Sequence, residues 1–361
     1  MSIPVSVDEI TPEWLSSVLD CQVSHIRKKH DPESGGLVSS LCFLEIDYQS
    51  DSELPRNLVA KLVPDFDDAL ELAATLKLFV RECNFYKNIA ARLSIRTPRA
   101  YYSEANEETG VGCLILEDCS HYKVIDQNDS QPASLDELKR IVMAAAELSA
   151  STWDSEWLAK DPWIFNIDEP VGKGFTDSVQ DGWRAFLESE FLTLLPIDFV
   201  PIAERLAQEY SEIAQSAWPT DRLSLGHGDY RINNFFIDSN SDDSIVVFDW
   251  QSPIVQRNAM DLGYLISTGF TPEFRRTNDR SLIRLFHQHL TSRGINGYTE
   301  SEAWHDYLFG TLYGSRLLPM FVTDFDVSSP AGQILVRKVI DGVCSSILDN
   351  GGLELLDRVR E

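Results

Sequence analysis

His227, Gly228 and Asp229, then Asn234 five positions after the Asp, then Asp249, are the residues of this chain that could do chemistry together. Asp, Asn and a second Asp in that order are how a phosphoryl-transfer site gathers a base for a hydroxyl proton and hard oxygens for Mg²⁺. Such chemistry asks for positioning and charge neutralisation more than for covalent steps. Mg²⁺ keeps several of its waters, so one or two carboxylates and an amide oxygen suffice. Taken singly, the residues say little. His-Gly-Asp can be an ordinary turn, Asp229 with Asn234 can cap one, and Asp249 can cap the next loop. In this order, on one loop and the hairpin after it, they read as a site. Asp229 is the base, Asn234 and Asp249 hold the metal, and His227 belongs to the same triplet as a brace for its loop.

The elements around these residues must place them. Residues 235–237 read as a strand, 238–244 as a polar turn, and 245–248 as a second strand ending at Asp249, so the hairpin returns Asp249 to the level of Asn234. A carboxylate at the end of an apolar strand is costly without a partner, and a metal is a good one. Asp242 and Asp243 read as a solvated hairpin tip.

Upstream, Lys61 interrupts the apolar run 58–63, and Glu82 falls on a helical stripe of Leu78, Phe79, Phe85, Tyr86, Ile89 and Leu93. A carboxylate on a buried face needs a cation. Lys61 is the expected partner, as in the strand-Lys and helix-Glu pair that orients α- and β-phosphates. Arg81 and Arg92 are the alternatives. Gly35, Gly36 and Ser39 precede a strand over 41–46, where small residues let backbone N–H groups approach phosphates; a hairpin turn explains them almost as well. The apolar run 111–116 ends at Glu117, which opens a connector that could face an adenine or be a plain loop.

His-Gly-Asp-Tyr-Arg-Ile-Asn-Asn over 227–234 and Phe-Asp-Trp over 248–250, with the order of elements around them, resemble the aminoglycoside phosphotransferase and choline kinase superfamily. Within it the chain looks most like the bacterial phosphotransferase enzyme family, with its ecdysteroid-kinase-like relatives. The resemblance runs from about Gly35 to about Leu265 and is most specific over 226–264. It implies an α+β, bilobal protein-kinase-like fold with a small β-rich N-lobe and a larger, mainly helical C-lobe. It also implies ATP as co-substrate with Mg²⁺, Lys61 and Glu82 at the phosphates, and His227, Arg231 and Asp261 supporting the catalytic loop. Two departures stand out: Gln251 sits where many relatives carry an acid, and the loop at Gly35-Gly36 lacks a full glycine signature.

Composition fits that picture. The chain has 361 residues, 43% hydrophobic, enough for two lobes with real cores. No run is long enough for a membrane helix, and no basic-then-apolar leader follows Met1, so a cytoplasmic protein is expected. The six Cys show no C-x-x-C pair and read as buried thiols, not a zinc or disulfide framework. A net charge of −26 argues against nucleic acid and anionic membrane as partners. It would suit a cationic acceptor, although a generally acidic surface gives the same number. Trp183, Phe186, Trp218, Trp304, Tyr307, Tyr313 and Phe321 could cage a quaternary amine, but their helical spacing favours core packing.

The spacing predicts a short helix opening at Thr11-Pro12 and a helix opened by a capping box at Ser134 and Glu137. Further apolar stripes mark helices over about 177–194, 201–217, 281–293, 299–318 and 331–349, the last closed by Gly351-Gly352. The N-lobe is expected over 1–117 and the C-lobe over 118–361. The segment 154–175 reads either as a substrate loop or as a connector. The preferred function is ATP-Mg²⁺-dependent phosphorylation of a hydroxyl on a small molecule. A non-catalytic nucleotide-binding protein is disfavoured because the whole set of Lys61, Glu82, Asp229, Asn234 and Asp249 is present. A protein kinase is disfavoured because no Asp-Phe-Gly to Ala-Pro-Glu segment follows Asp249.

Overall fold

Apolar residues alternate with polar ones along the N-terminal strands, and that period of two decides which face of the sheet is buried. The strands are β1 (Val23–His30), β2 (Ser40–Tyr48), β3 (Asn57–Leu62), β4 (Ala100–Ala105) and β5 (Gly112–Glu117), in an antiparallel sheet of order β1-β2-β3-β5-β4. Cys42, Leu44 and Ile46 of β2 and Leu58, Ala60 and Leu62 of β3 share one buried cluster with Leu15 and Leu19 of helix α1 (Pro12–Leu19). Each leucine and isoleucine among them stabilises by about 1.5–3 kcal/mol when fully buried. Thr11 caps α1 by accepting from Trp14 N at 3.2 Å, and Pro12 occupies the first turn, where its missing N–H costs nothing.

Lys61 belongs to the opposite face by the same alternation. That face meets helix α2 (Leu78–Asn84), which buries Phe79, Val80, Glu82 and Cys83 and continues as a π-turn over Phe85–Ile89. The computed structural model describes residues 2–360 apart from 31–38, 64–69, 72, 73, 76, 130, 221, 239–244, 324–326 and 328. Gly35, Gly36, Asp242 and Asp243 therefore lie outside the described residues.

Two compact units emerge, Met1–Lys123 with Val246–Pro253, and Val124–Ile245 with Ile254–Glu361. A contiguous division at 117 does not anticipate the return of 246–253 to the first unit. Val246 pairs with Arg96 in a parallel bridge, Val247 N donates to Arg96 O at 2.9 Å, and Trp250 stacks on Phe85 at 4.0 Å. These pairings join residues some 150 positions apart, and no local signal encodes them.

The second unit is mainly helical. Its helices are α3 (Leu135–Thr152), α4 (Pro170–Glu188), α5 (Val200–Ala217), α6 (Met260–Gly269), α7 (Pro272–Ser292), α8 (Glu300–Gly314), α9 (Leu317–Thr323), α10 (Pro330–Asp349) and α11 (Leu353–Arg358). The capping box of α3 is complete: Glu137 N donates to Ser134 Oγ at 3.2 Å and Ser134 N to Glu137 Oε2 at 2.8 Å. The stripe expected over 281–293 is the second half of α7. Its first turns bury Arg275 with Asp279, a charged pair that breaks the apolar pattern. The stripe over 299–318 divides into α8 and α9, and that over 177–194 ends as a helix at Glu188. Six of the seven aromatics are buried in the core, and Trp304, partly exposed, lies under Arg280. The segment 154–175 is tied down where Val255 N donates to Phe165 O at 2.9 Å, and it enters α4 at Pro170.

An antiparallel pair, β6 (Leu223–Gly226) and β7 (Ile254–Arg257), leads into the loop that begins at His227. Helix α6 follows and is buried throughout. It packs on α8 so closely that a Cβ on Gly263 would collide with the Tyr307 carbonyl, and one on Gly310 with the Met260 carbonyl.

Candidate active site

In the first unit Lys61 is held between two carboxylates. Its Nζ lies 2.9 Å and 2.8 Å from the two Glu82 oxygens and 2.7 Å from Asp249 Oδ1. Lys61 and Glu82 are almost wholly buried, whereas the Asp249 side chain is 30% exposed, so Asp249 is the member a ligand can reach. Burial opposes the charge on Lys61, but Asp249 and Glu82 outweigh it and hold its pKa above the ordinary lysine range. Burial pushes the Glu82 carboxyl up; Lys61 pulls it down and Asp249 adds to the rise. One ammonium for two carboxylates leaves negative charge in excess, a poor way to stabilise a core and a good way to wait for a cation. The backbone agrees: Asp249 has φ 65°, a left-handed conformation that a non-glycine residue adopts at a cost of about 1–2 kcal/mol.

In the second unit the loop after β6 wraps around Asp229. Gly228 has φ 75°, which glycine alone adopts without strain. Its N–H and that of His227 donate to Asp261 at 3.2 Å and 2.8 Å, so the buried Asp261 carboxylate ties down the start of the loop. Asp229 Oδ1 accepts from Tyr264 OH at 2.8 Å, and Oδ2 accepts from Arg231 Nη2 at 2.9 Å. Burial would raise the Asp229 pKa, but Arg231, Arg316 and His227 outweigh it and hold the carboxyl below its usual range. Its side chain stays 23% exposed, open to an approaching hydroxyl. Asn234 Nδ2 donates to Asp229 O at 2.8 Å, which fixes the amide and makes its oxygen the metal-type donor of the side chain. Tyr230 OH anchors the loop on Ile141 O at 2.9 Å.

The residues singled out in the sequence thus fall into two clusters, one per unit. Lys61, Glu82 and Asp249 form the first, and His227, Asp229, Arg231, Asn234 and Asp261 the second. Lys61, not Arg81 or Arg92, is the cation that Glu82 meets. Glu117 is separate: its carboxylate accepts from Arg96 at 2.7 Å and from Arg99 N at 3.1 Å, so its side chain closes a turn. Ser39 is buried at the start of β2. Tyr264 and Arg316 are the members that sequence reasoning missed. Tyr264 sits among apolar helix positions and reads as core, Arg316 is a lone arginine in the turn after α8, and the only faint signal is Tyr264 one turn after Asp261.

Beside Arg231 and Ile232 the second unit has a shallow concavity, lined further by Gln127, Thr268, Gly269, Leu317, Phe321, Leu335 and Val339. Among the described residues that line it, Arg231 is the one charged side chain.

Asp249 in the first unit and Asn234 in the second each present hard oxygens, the donor type that suits Mg²⁺ better than a soft transition metal. Among the described residues no three His, Cys, Asp or Glu gather into a metal cage.

The family model of the ecdysteroid kinase-like family matches residues 36–294, more than half of the chain. No curated protein matches it. Among solved structures the chain is similar to choline kinase from Cryptosporidium parvum Iowa II, with 13% identity, a TM-score of 0.55, and 93% of this chain and 94% of that one covered. It is similar to ethanolamine kinase from Plasmodium vivax, with 11% identity, a TM-score of 0.53, and 88% and 81% covered. It is also similar to the GDP and kanamycin complex of APH(2")-IIia, with 12% identity, a TM-score of 0.54, and 93% and 97% covered. At these identities the likeness is one of fold, the α+β fold of kinase-like phosphotransferases.

Proposed function

The chain belongs to the ecdysteroid kinase-like family, and on that premise we propose that it moves the γ-phosphate of ATP to a hydroxyl of a small molecule. The observation that carries this reading is Lys61 between Glu82 and Asp249. Lys61, fixed by the buried Glu82, offers an ammonium to nucleotide phosphates, and Asp249, strained and partly exposed, offers oxygens to Mg²⁺. When bound, the metal neutralises charge on the β- and γ-phosphates. Asn234 supplies its amide oxygen to the same task. Asp229 orients the acceptor hydroxyl and takes its proton, kept ionised for that role by Arg231 and Arg316 against the effect of burial.

The acceptor side favours an uncharged or amphipathic alcohol over a cation. A quaternary amine wants carboxylates or an open aromatic cage, and the described residues lining the concavity beside Arg231, which we take as the acceptor's place, include one phenylalanine and no acid.

Calorimetric titration of MgATP and MgGTP, with ADP or GDP release over a panel of hydroxylated compounds, tests the proposal; GTP is included because one structural relative holds GDP. Asp249→Ala is expected to lose magnesium-dependent binding and to keep the weak binding measured in EDTA. Equal affinity for MgATP in variant and wild type would remove Asp249 from the metal site. Tight MgATP binding with no release over the whole panel would favour a non-catalytic nucleotide-binding role.

A further inference from the structure

We infer that Arg316 is a positioning residue of the catalytic loop, and that it acts through the Gly228 carbonyl and through Tyr264; this rests on the phosphotransfer role given above to Asp229. Arg316 is buried, and among the described residues its contacts are carbonyl oxygens and two rings, with no carboxylate abutting it. A buried guanidinium without an adjoining carboxylate is expensive, and a core could use an apolar residue there at lower cost. Its geometry indicates its use. Nη2 donates to Gly228 O at 3.0 Å, beside Tyr313 OH at 3.2 Å on the same oxygen. The guanidinium lies 3.8 Å from the Tyr313 ring centre and 4.4 Å from that of Tyr264.

Gly228 is therefore gripped on both sides, its N–H by Asp261 and its carbonyl by Arg316 and Tyr313. This grip acts on the one residue whose left-handed backbone aims the next side chain, Asp229. Tyr264, packed against the same guanidinium, sets its hydroxyl on Asp229 Oδ1 at 2.8 Å. One side chain of the loop after α8 thus fixes both the peptide before the base and the phenol that orients the base. Lysine replaces it only in part, because a point charge keeps the cation but neither stacks flat on two rings nor reaches the carbonyl with a planar fork.

The test uses the full chain as wild type, Arg316→Met, Arg316→Lys, Tyr264→Phe and Asp229→Asn. Three quantities are read: deuterium uptake of the peptide spanning 226–234, affinity for MgATP, and ADP release from MgATP with water as the acceptor. For Arg316→Met, loop exchange should rise about tenfold and ADP release fall about 10²-fold, with MgATP affinity within about threefold. Arg316→Lys should fall between it and wild type. Tyr264→Phe should lower ADP release about tenfold without faster loop exchange.

Loop exchange and ADP release within about twofold of wild type in Arg316→Met would overturn the inference. So would faster exchange spread evenly over the helices of the unit, the mark of a core residue. Should Arg316→Met fail to fold, Arg316→Lys and Tyr264→Phe decide on the same criteria. Should wild type release no more ADP than Asp229→Asn, the phosphotransfer reading fails, and loop exchange alone still decides whether Arg316 positions the loop.

Discussion

At the scale of residues, Lys61 and Glu82 were legible because each is costly alone: a lysine in an apolar strand, a glutamate on an apolar helical stripe. That cost made a pair the cheapest explanation, and the pair is present. A double-mutant cycle between Lys61→Met and Glu82→Gln, read as ADP release, should show coupling of about 1–3 kcal/mol. Strict additivity would mean that the two do not act together. Asp229→Asn should lower kcat about 10²–10⁴-fold and leave MgATP affinity in place, since the base proposed above would touch the acceptor and not the nucleotide. Near wild-type single-turnover rates would end its assignment as the base. Asp249 as a third member of the Lys61 cluster was not legible, because its approach depends on the pairing of 246–247 with Arg96 and the stacking of Trp250 on Phe85. Arg316 was hidden for the opposite reason: a single arginine at the end of an apolar helix looks like a surface residue until the loop that it holds is in view.

At the scale of elements, α6 carries both Asp261 and Tyr264, so its seat on α8 sets the catalytic loop. Two glycines make that seat, each facing a backbone carbonyl of the other helix. Backbone cannot yield as a side chain tip can, so Gly263→Ala or Gly310→Ala should cost about 1–3 kcal/mol of stability. ADP release should fall with it, because the loop shifts with the helix. Gly174→Ala in α4 is the control: a Cβ there meets nothing within 4 Å, so it should stabilise by about 0.5–1 kcal/mol. Urea denaturation of the three variants checks both signs; a neutral Gly310→Ala would mean that the helices separate easily.

A second element-scale expectation concerns α10. Lys338 donates to Gln127 O at 2.6 Å and Asp129 O at 2.7 Å, and burial lowers its pKa to about 8 from 10.5. Between those values the unfolded chain holds a proton that the folded chain has lost, so stability rises with pH across this window. Below the folded value the cost of the buried charge is fully present. Lys338→Met should remove that slope, as followed by urea midpoints from pH 7.5 to 10.5. An unchanged slope would show that Lys338 titrates as a free lysine. Helix starts marked by capping residues, at Thr11 and Ser134, were readable one residue at a time; α7 opens on the same Thr-Pro cap at Thr271 and Pro272, and its start was missed because Arg275 and Asp279, buried as a charged pair, break the apolar stripe behind it.

At the scale of the whole molecule, 57 acidic residues face 31 basic ones, for a net charge of −26. Charge of one sign opposes compaction, and the many exposed pairs, such as Arg27 with Glu45 and Lys87 with Glu104, offset little of it. The number alone left two explanations, an acidic site for a cationic acceptor or a generally acidic surface. The described residues lining the concavity beside Arg231, one cation and no acid, accord with the surface explanation on the acceptor reading proposed above. Self-repulsion of that kind is long-ranged and screened by salt, while the buried Lys61–Glu82 pair is screened much less. Raising NaCl from about 20 mM to about 0.5 M shortens the Debye length from tens of ångströms to a few and should raise Tm by about 2–5 °C. Scanning calorimetry at pH 7 measures it, with KCl in parallel to separate screening from specific sodium binding. If Tm falls instead, attractive surface pairs outweigh repulsion, the acidic residues must be more clustered than a general surface excess allows, and a cationic partner regains its place among the acceptors to be tested.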